Sequence, residues 1–177
     1  MRLRDLIACC LLGFAAGSVA DDAVSLADSR LELIIRSALD KPEGAITQND
    51  LSTLHQIRGE NLGITSLEGI EYCIHLEVLD LSDNEISDLE PLESLYRLYF
   101  LDLAGNTVHD ITPLAGLGHL CLLFLNNNVI GDVGPLSLLP WLSNLNLDGN
   151  QIQDVAPLAN NPALGPGDVI SLLDRKR

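Results

Sequence analysis

The stretch that decides the fold is residues 76–92, which reads LEVLDLSDNEISDLEPL. The pattern returns at intervals of 22 residues as LYFLDLAGNTVHDITPL (98–114), LCLLFLNNNVIGDVGPL (120–136) and LSNLNLDGNQIQDVAPL (142–158). Nine positions recur in all four copies, in the form L-x-x-L-x-L-x-x-N-x-[IV]-x-D-[LIV]-x-P-L. A fixed period of this length is the mark of a solenoid built from leucine-rich repeats.

Each recurring position has a physical role in the predicted fold. The L-x-L segment has the period of a strand, so both leucines point to one face. Strands of successive repeats should stack in parallel, about 4.8 Å apart. We therefore predict an α/β solenoid, a right-handed leucine-rich-repeat superhelix. Its parallel sheet lines the concave face, 3₁₀ turns form the convex face, and a helical cap covers the N-terminal end.

The recurring polar residues should hold the turns together. The asparagine after each strand is expected to be buried and to bond backbone groups of its own and the next turn. This predicts a structural ladder formed by Asn84, Asn106, Asn128 and Asn150. The aspartate three residues before each proline is placed to cap a short helical turn, whose first position suits proline. These aspartates are Asp88, Asp110, Asp132 and Asp154.

Residues 1–20 have the features of a secretory signal peptide. Arg2 and Arg4 precede an apolar run over 6–16, and Ser18-Val19-Ala20 offers small residues for cleavage after Ala20. Two alternatives stay open: Leu6-Ile7-Ala8-Cys9 is similar to a lipoprotein signal, and the segment could remain as an uncleaved anchor. The mature chain contains no second apolar run long enough to span a bilayer. We therefore predict an exported protein without a transmembrane segment.

The rest of the chain divides into three parts. Residues 21–53 form the predicted N-terminal cap, with an apolar helical stripe over 31–39 and a capping box at Thr47 and Asp50. Residues 54–163 hold five repeats, the first of them divergent, with Gly59 at a leucine position and Gly69 at the proline position. Residues 164–177 contain a predicted sixth strand and a basic tail. An exposed strand edge invites pairing, so we expect a monomer unless that edge pairs.

The quoted segments resemble the internalin-like family of bacterial leucine-rich-repeat proteins with 22-residue repeats. The N-x-x-x-D-[LIV]-x-P-L rhythm, the segment around 39–51 and the segments 69–73 and 161–168 carry this resemblance, which extends over residues 27–173. It implies protein recognition through the concave sheet. Family members often add an Ig-like cap and a wall anchor after the repeats, and we expect neither here.

The composition excludes several classes of partner and chemistry. A formal charge of −15 and a pI near 4.3 disfavour binding to nucleic acids and to anionic membranes. We find no catalytic or metal-binding motif and expect no cofactor and no metal. The four histidines are assigned to different repeat positions and should form no ligand cluster. Cys73 should be a buried free thiol, too far from Cys121 for a disulfide.

The candidate binding site consists of side chains that face out from the strands. Three columns are expected to run across the sheet: Gln56, Val78, Phe100, Leu122 and Asn144; Arg58, Asp80, Asp102, Phe124 and Asn146; and Glu60, Ser82, Ala104, Asn126 and Asp148. The centre of this surface is apolar, and its rim is polar and acidic, as in protein interfaces. The proposed ligand-binding residues are Val78, Asp80, Tyr99, Phe100, Asp102, Leu122, Phe124, Asn126, Asn146 and Asp148.

The sequence favours a non-catalytic module that binds a partner protein of unknown identity. The alternatives are a structural or carbohydrate-contacting component of the cell envelope, or a truncated repeat fragment. An intracellular phosphatase regulator would require residues 1–20 to have another role. Asp80 and Asp102 should be neighbours on adjacent strands, and we interpret them as a solvated acidic strip rather than a catalytic pair.

Overall fold

The computed structural model describes residues 22–159, 161–165 and 169–171, so the predicted signal segment lies outside the described residues. Six short strands form one parallel sheet in chain order. They are β1 (Gln56–Arg58), β2 (Val78–Asp80), β3 (Phe100–Asp102), β4 (Leu122–Phe124), β5 (Asn144–Asn146) and β6 (Val169–Ser171). The first five pair with a constant offset of 22 residues, whereas β6 pairs with β5 at an offset of 25. The predicted solenoid is confirmed.

Short helical turns lie on the side opposite the sheet. Four are 3₁₀ turns, at Ile70–Tyr72, Glu90–Leu92, Thr112–Gly116 and Gly134–Leu138. The turn of the fifth repeat is instead a short α-helix, Ala156–Ala159. The predicted 3₁₀ turns on the convex face are therefore confirmed, and the fifth repeat differs only by a four-residue α-helical turn.

The recurring aspartates lie one residue before the cap position of each helical turn, and not at the cap position as predicted. The side chain of Asp88 accepts a hydrogen bond from the N–H of Glu90 at 2.9 Å, and Leu89 occupies the cap position without a side-chain cap. The same bond recurs from Asp110, Asp132 and Asp154. Each aspartate thus closes an Asx turn that leads into the helical turn.

Leucine side chains fill the space between the sheet and the turns. The central strand residues Leu79, Leu101, Leu123 and Leu145 are all fully buried. Each buried leucine contributes about 2 kcal/mol of hydrophobic free energy, and each packs on the equivalent residue of neighbouring repeats. The core is therefore a continuous stack that does not depend on the outward-facing strand residues.

The asparagine ladder connects each repeat to the one before it. The side-chain amide of Asn106 donates to Leu103 O and to Leu81 O, both at 3.0 Å, and its oxygen accepts the N–H of Ile86 at 2.9 Å. Asn84, Asn128 and Asn150 repeat this arrangement. As predicted, these asparagine side chains are buried and fully hydrogen-bonded. The prediction that they bond the next turn is wrong, because their bonds reach the preceding turn.

The N-terminal segment packs on the first repeat through α1 (Ser29–Ala38) and α2 (Gln48–Ser52). The capping box of Thr47 and Asp50 is present. Within the predicted apolar stripe of α1, Leu31 and Ile35 are fully buried, whereas Leu33 is 67% exposed because it lies on the outer face of the helix.

The divergent glycines of the first repeat make room for this segment. A Cβ atom on Gly59 would lie 2.6 Å from Ile34 Cδ1, and one on Gly69 would lie 2.5 Å from Leu26 Cδ2. Asp28 secures the junction, because its carboxylate caps α1 and also accepts the N–H and the hydroxyl of Thr65. The departures from the repeat pattern therefore mark the surface that the cap covers.

The ladder predicts a large effect of replacing Asn106 with alanine. The substitution leaves two buried carbonyls and one buried N–H with fewer partners, so we expect the free energy of unfolding to fall by about 3 kcal/mol. Urea denaturation measures this change. The matched control is Asn144→Ala on the sheet, where the loss should stay below about 0.5 kcal/mol. Equal losses in the two variants would contradict the role assigned to the ladder.

Candidate functional site

The sheet places the predicted outward-facing residues side by side. Val78, Phe100 and Leu122 pair in register across β2, β3 and β4, and Asp102 pairs with Phe124. Gln56 and Asn144 continue the first column at either side. Because neighbouring strands lie about 4.8 Å apart, these side chains form one surface, which we call the sheet face.

The centre of the sheet face is an apolar patch formed by Val78, Phe100, Leu122 and Phe124. All four side chains are partly exposed, in contrast to the fully buried leucines between them. The rings of Phe100 and Phe124 pack against each other in a tilted geometry, with centroids 5.7 Å apart. This contact holds both rings in place, so they form a pre-organised apolar surface.

An acidic group lies beside the apolar patch. The expectation of a solvated strip is wrong for Asp80, which is only 7% exposed. Its carboxylate accepts hydrogen bonds from the hydroxyl and N–H of Ser82 and lies 3.7 Å from the guanidinium of Arg58. The repeat pattern alone could not reveal the burial of Asp80.

Asp102 is half-buried next to Asp80, and its environment disfavours the charged form. Burial raises the pKa of Asp102, the N–H of Ala104 lowers it, and the charges of Asp80, Glu60 and Asp83 raise it. The net effect is a raised pKa. The carboxylate of Asp102 therefore opposes folding when it is ionised.

The other side of the sheet face is rich in amides. Asn144 and Asn146 lie on β5, and Asn126 follows β4. The side chain of Asn146 accepts the N–H of Asp148 at 3.1 Å, and the hydroxyl of Ser171 donates to the Asp148 carboxylate at 2.7 Å. The face thus changes from acidic to apolar to amide along the strand order.

The structure also shows a surface that sequence reasoning missed, at the strand entrances. A depression of about 490 Å³ is lined by Glu77, Arg97, Tyr99 and His119. Trp141 is 68% exposed on the same side of the repeats. Of these residues only Tyr99 was predicted to contribute to binding. The signal in the sequence was the run of large side chains directly before the first leucine of each repeat.

The assignment of the histidines to different repeat positions is wrong. His75 and His119 occupy equivalent positions, and each Nδ1 lies 2.7 Å from a carbonyl of the preceding turn. The rings of His55 and His75 stack, with centroids 6.2 Å apart. Among the described residues no group of three or more His, Cys, Asp or Glu side chains is arranged to hold a metal ion.

The cysteines have the states predicted for them. Cys73 and Cys121 are both free, and Cys73 is fully buried. Burial raises the pKa of the Cys73 thiol to about 12, with a smaller contribution from Glu71. The thiol is therefore protonated at neutral pH and unreactive.

Comparisons with known proteins agree with the repeat architecture. A family model described as leucine-rich repeats in two copies matches residues 74–116. The chain is similar to the crystal structure of an internalin, InlF, of Listeria monocytogenes, with 27% identity and a TM-score of 0.73. This match covers 83% of the chain and 52% of the InlF chain, so the protein spans about half of InlF. No curated protein matches the chain significantly.

A second solved structure shares the fold. The functional domain of InlJ from Listeria monocytogenes, which includes a cysteine ladder, is 22% identical, with a TM-score of 0.61. The match covers 79% of this chain and 38% of that one. Within the described part of the protein, no helix has the length and apolar character needed to cross a bilayer.

The raised pKa of Asp102 predicts that Asp102→Asn stabilises the protein near neutral pH. The folded-state pKa lies above the unfolded one, so ionisation costs stability as pH rises through this window. The neutral amide of the variant removes that cost. Urea midpoints should be higher for the variant at about pH 7 and converge with the wild type at about pH 3, below the unfolded-state pKa of aspartate. A lower midpoint for the variant at both pH values would contradict the burial effect.

Proposed function

We propose that this chain, an internalin-like leucine-rich-repeat protein, is an exported, non-catalytic module that binds a partner protein on its sheet face. The observation that carries the proposal is the pair of contacting phenylalanines, Phe100 and Phe124, on the solvent side of the sheet. Protein recognition through this face is also what the resemblance to internalins implies.

The apolar patch has no structural role that requires its size. The leucine core lies on the other side of the strands and is complete without it. Asparagine occupies both equivalent positions of β5, at Asn144 and Asn146, and the strand still forms. Large apolar side chains at Phe100, Leu122 and Phe124 therefore expose hydrophobic surface that a partner could cover, which favours binding.

The surroundings of the patch match the anatomy of protein interfaces. Such interfaces combine an apolar centre with a polar rim, and aromatic residues contribute much of the binding energy. Here carboxylates lie on one side of the patch and amides on the other, while Tyr99, which is 45% exposed, extends it toward the strand entrances. The extended face of the solenoid suits a protein segment more than a small molecule.

A carbohydrate-contacting role in the cell envelope is the second candidate. The exposed Trp141 and the depression around Tyr99 favour it, because aromatic rings beside polar groups can stack on sugars. Binding assays with isolated wall polysaccharide, compared with assays on extracellular proteins, distinguish the two candidates. Polysaccharide binding that survives loss of the apolar patch would support the second one.

Replacing both Phe100 and Phe124 with alanine should abolish partner binding while the fold remains intact. The expected result is an unchanged circular dichroism spectrum and loss of the proteins that crosslink to the wild-type chain in the producing organism. The matched control replaces Leu33 and Leu138, which are 67% and 66% exposed away from the sheet face. Unfolding of the Phe100 and Phe124 variant would show that these rings belong to the core.

The proposed export predicts a defined mature N-terminus. When the full chain is produced in a secreting bacterial host, N-terminal sequencing should begin at Asp21, after cleavage behind Ala20. A lipid-modified cysteine at position 9 would instead show lipoprotein processing. An intact Met1 on cytoplasmic protein would contradict export.

A further inference from the structure

The acidic side of the sheet face carries more negative charge than the fold requires. The three outward columns contain one cation, Arg58, against the carboxylates of Glu60, Asp80 and Asp102 on the acidic side and of Asp148 on the amide-rich side. Arg58 lies 3.7 Å from Asp80, and Asp148 accepts hydrogen bonds from Ser171. The hydrogen bonds that these side chains contribute to the fold do not require this excess of negative charge.

A comparison of equivalent positions in β3 and β5 shows that the fold needs the hydrogen bond accepted by Asp102 but not its negative charge. The carboxylate of Asp102 accepts the N–H of Ala104 at 2.9 Å, where the strand ends. At the equivalent position of β5, the amide oxygen of Asn146 accepts the N–H of Asp148 at 3.1 Å. A neutral amide therefore closes this turn as well as a carboxylate does. The negative charge of Asp102 adds nothing to the turn, and its burial opposes folding.

The charge lies directly against the apolar patch. Asp102 pairs in register with Phe124, and Phe100 begins the same strand as Asp102. The carboxylate and the Phe124 ring therefore start from backbone positions about 4.8 Å apart. A cation of the partner placed beside Asp102 would offset the repulsion between Asp102 and the carboxylates of Asp80, Glu60 and Asp83. An apolar side chain next to that cation would cover the two phenylalanine rings.

We propose that the occupant of the sheet face is a protein segment that places a lysine or arginine against Asp102 and an adjacent apolar side chain on Phe100 and Phe124. This inference rests on the proposed function and specifies the chemistry of the partner. In an extended segment, side chains two residues apart lie on one side at a separation of about 7 Å, which matches the spacing of Phe100 and Asp102 along β3. Charge complementarity selects basic segments, and the aromatic pair supplies the apolar contact.

The test uses a displayed library of random peptides of about twelve residues, long enough to cross the sheet when extended. The full mature chain is the bait, and peptides that bind the Phe100→Ala, Phe124→Ala variant are removed. Enriched peptides are expected to carry lysine or arginine within two residues of an aliphatic or aromatic residue. Neutral or acidic enriched peptides would overturn the inference but leave the proposed function standing. Absence of peptides that require the phenylalanines would contradict both.

The charge is then tested with single substitutions and the enriched peptides as probes. Asp102→Asn keeps the bond to Ala104 and should weaken binding about tenfold, with a shallower dependence on salt concentration. Asp132→Asn is the matched control, because it removes one charge from the opposite side and keeps the turn bond to Gly134. Equal affinities of the Asp102 variant and the wild type would overturn the inference.

Discussion

The rest of the structure depends on the hydrogen bonds of the asparagine ladder. The strands of this solenoid are three residues long, and the chain turns out of the sheet once in every 22 residues. At each turn, buried backbone N–H and C=O groups lose the hydrogen-bond partners that a strand would give them. Asn84, Asn106, Asn128 and Asn150 supply those partners, and each links two successive turns. No buried side-chain nitrogen or oxygen among the described residues lacks a hydrogen-bond partner. The leucines can therefore pack in a dry stack because the polar groups are already satisfied.

This arrangement separates stability from recognition. The ladder and the leucines lie behind the strands, and the residues that alternate with the leucines are free to vary without loss of the fold. The protein uses this freedom to place carboxylates, phenylalanines and amides in sequence along one surface. Asp102 shows the consequence, because its charge opposes folding and yet does not disturb the strand that carries it. Charges and apolar side chains that the fold does not need favour a role in binding.

The repeat pattern predicted the architecture because every recurring residue has one role in every turn. The period fixed the strand register, and it identified the first repeat, with Gly59 and Gly69, as divergent. Local geometry was harder to predict. The residue after each strand that adopts a positive φ was not predicted, although only Asn, Asp or Gly occupies this position in the repeats. Examples are Asp83, Gly105 and Asn127. The direction of the ladder depends on side-chain rotamers, which a pattern does not specify.

The candidate site was predicted less completely than the fold. The period-two alternation of each strand was enough to identify the outward-facing columns, because it can be read without knowing how neighbouring side chains pack. The burial of Asp80 and the stacking of His55 on His75 depend on how side chains of different repeats fill space, and these were not foreseen. The same holds for the depression at the strand entrances, which residues of two successive repeats form together.

Hydrogen exchange of individual backbone amides tests the role of the ladder most directly. The N–H groups of Ile86, Val108 and Ile130 donate to buried asparagine oxygens, whereas those of Glu90, Thr112 and Gly134 donate to exposed aspartates. The first group should exchange only when the whole solenoid unfolds, and the second should exchange through local opening. Equal exchange rates in the two groups would show that the ladder does not hold the repeats together.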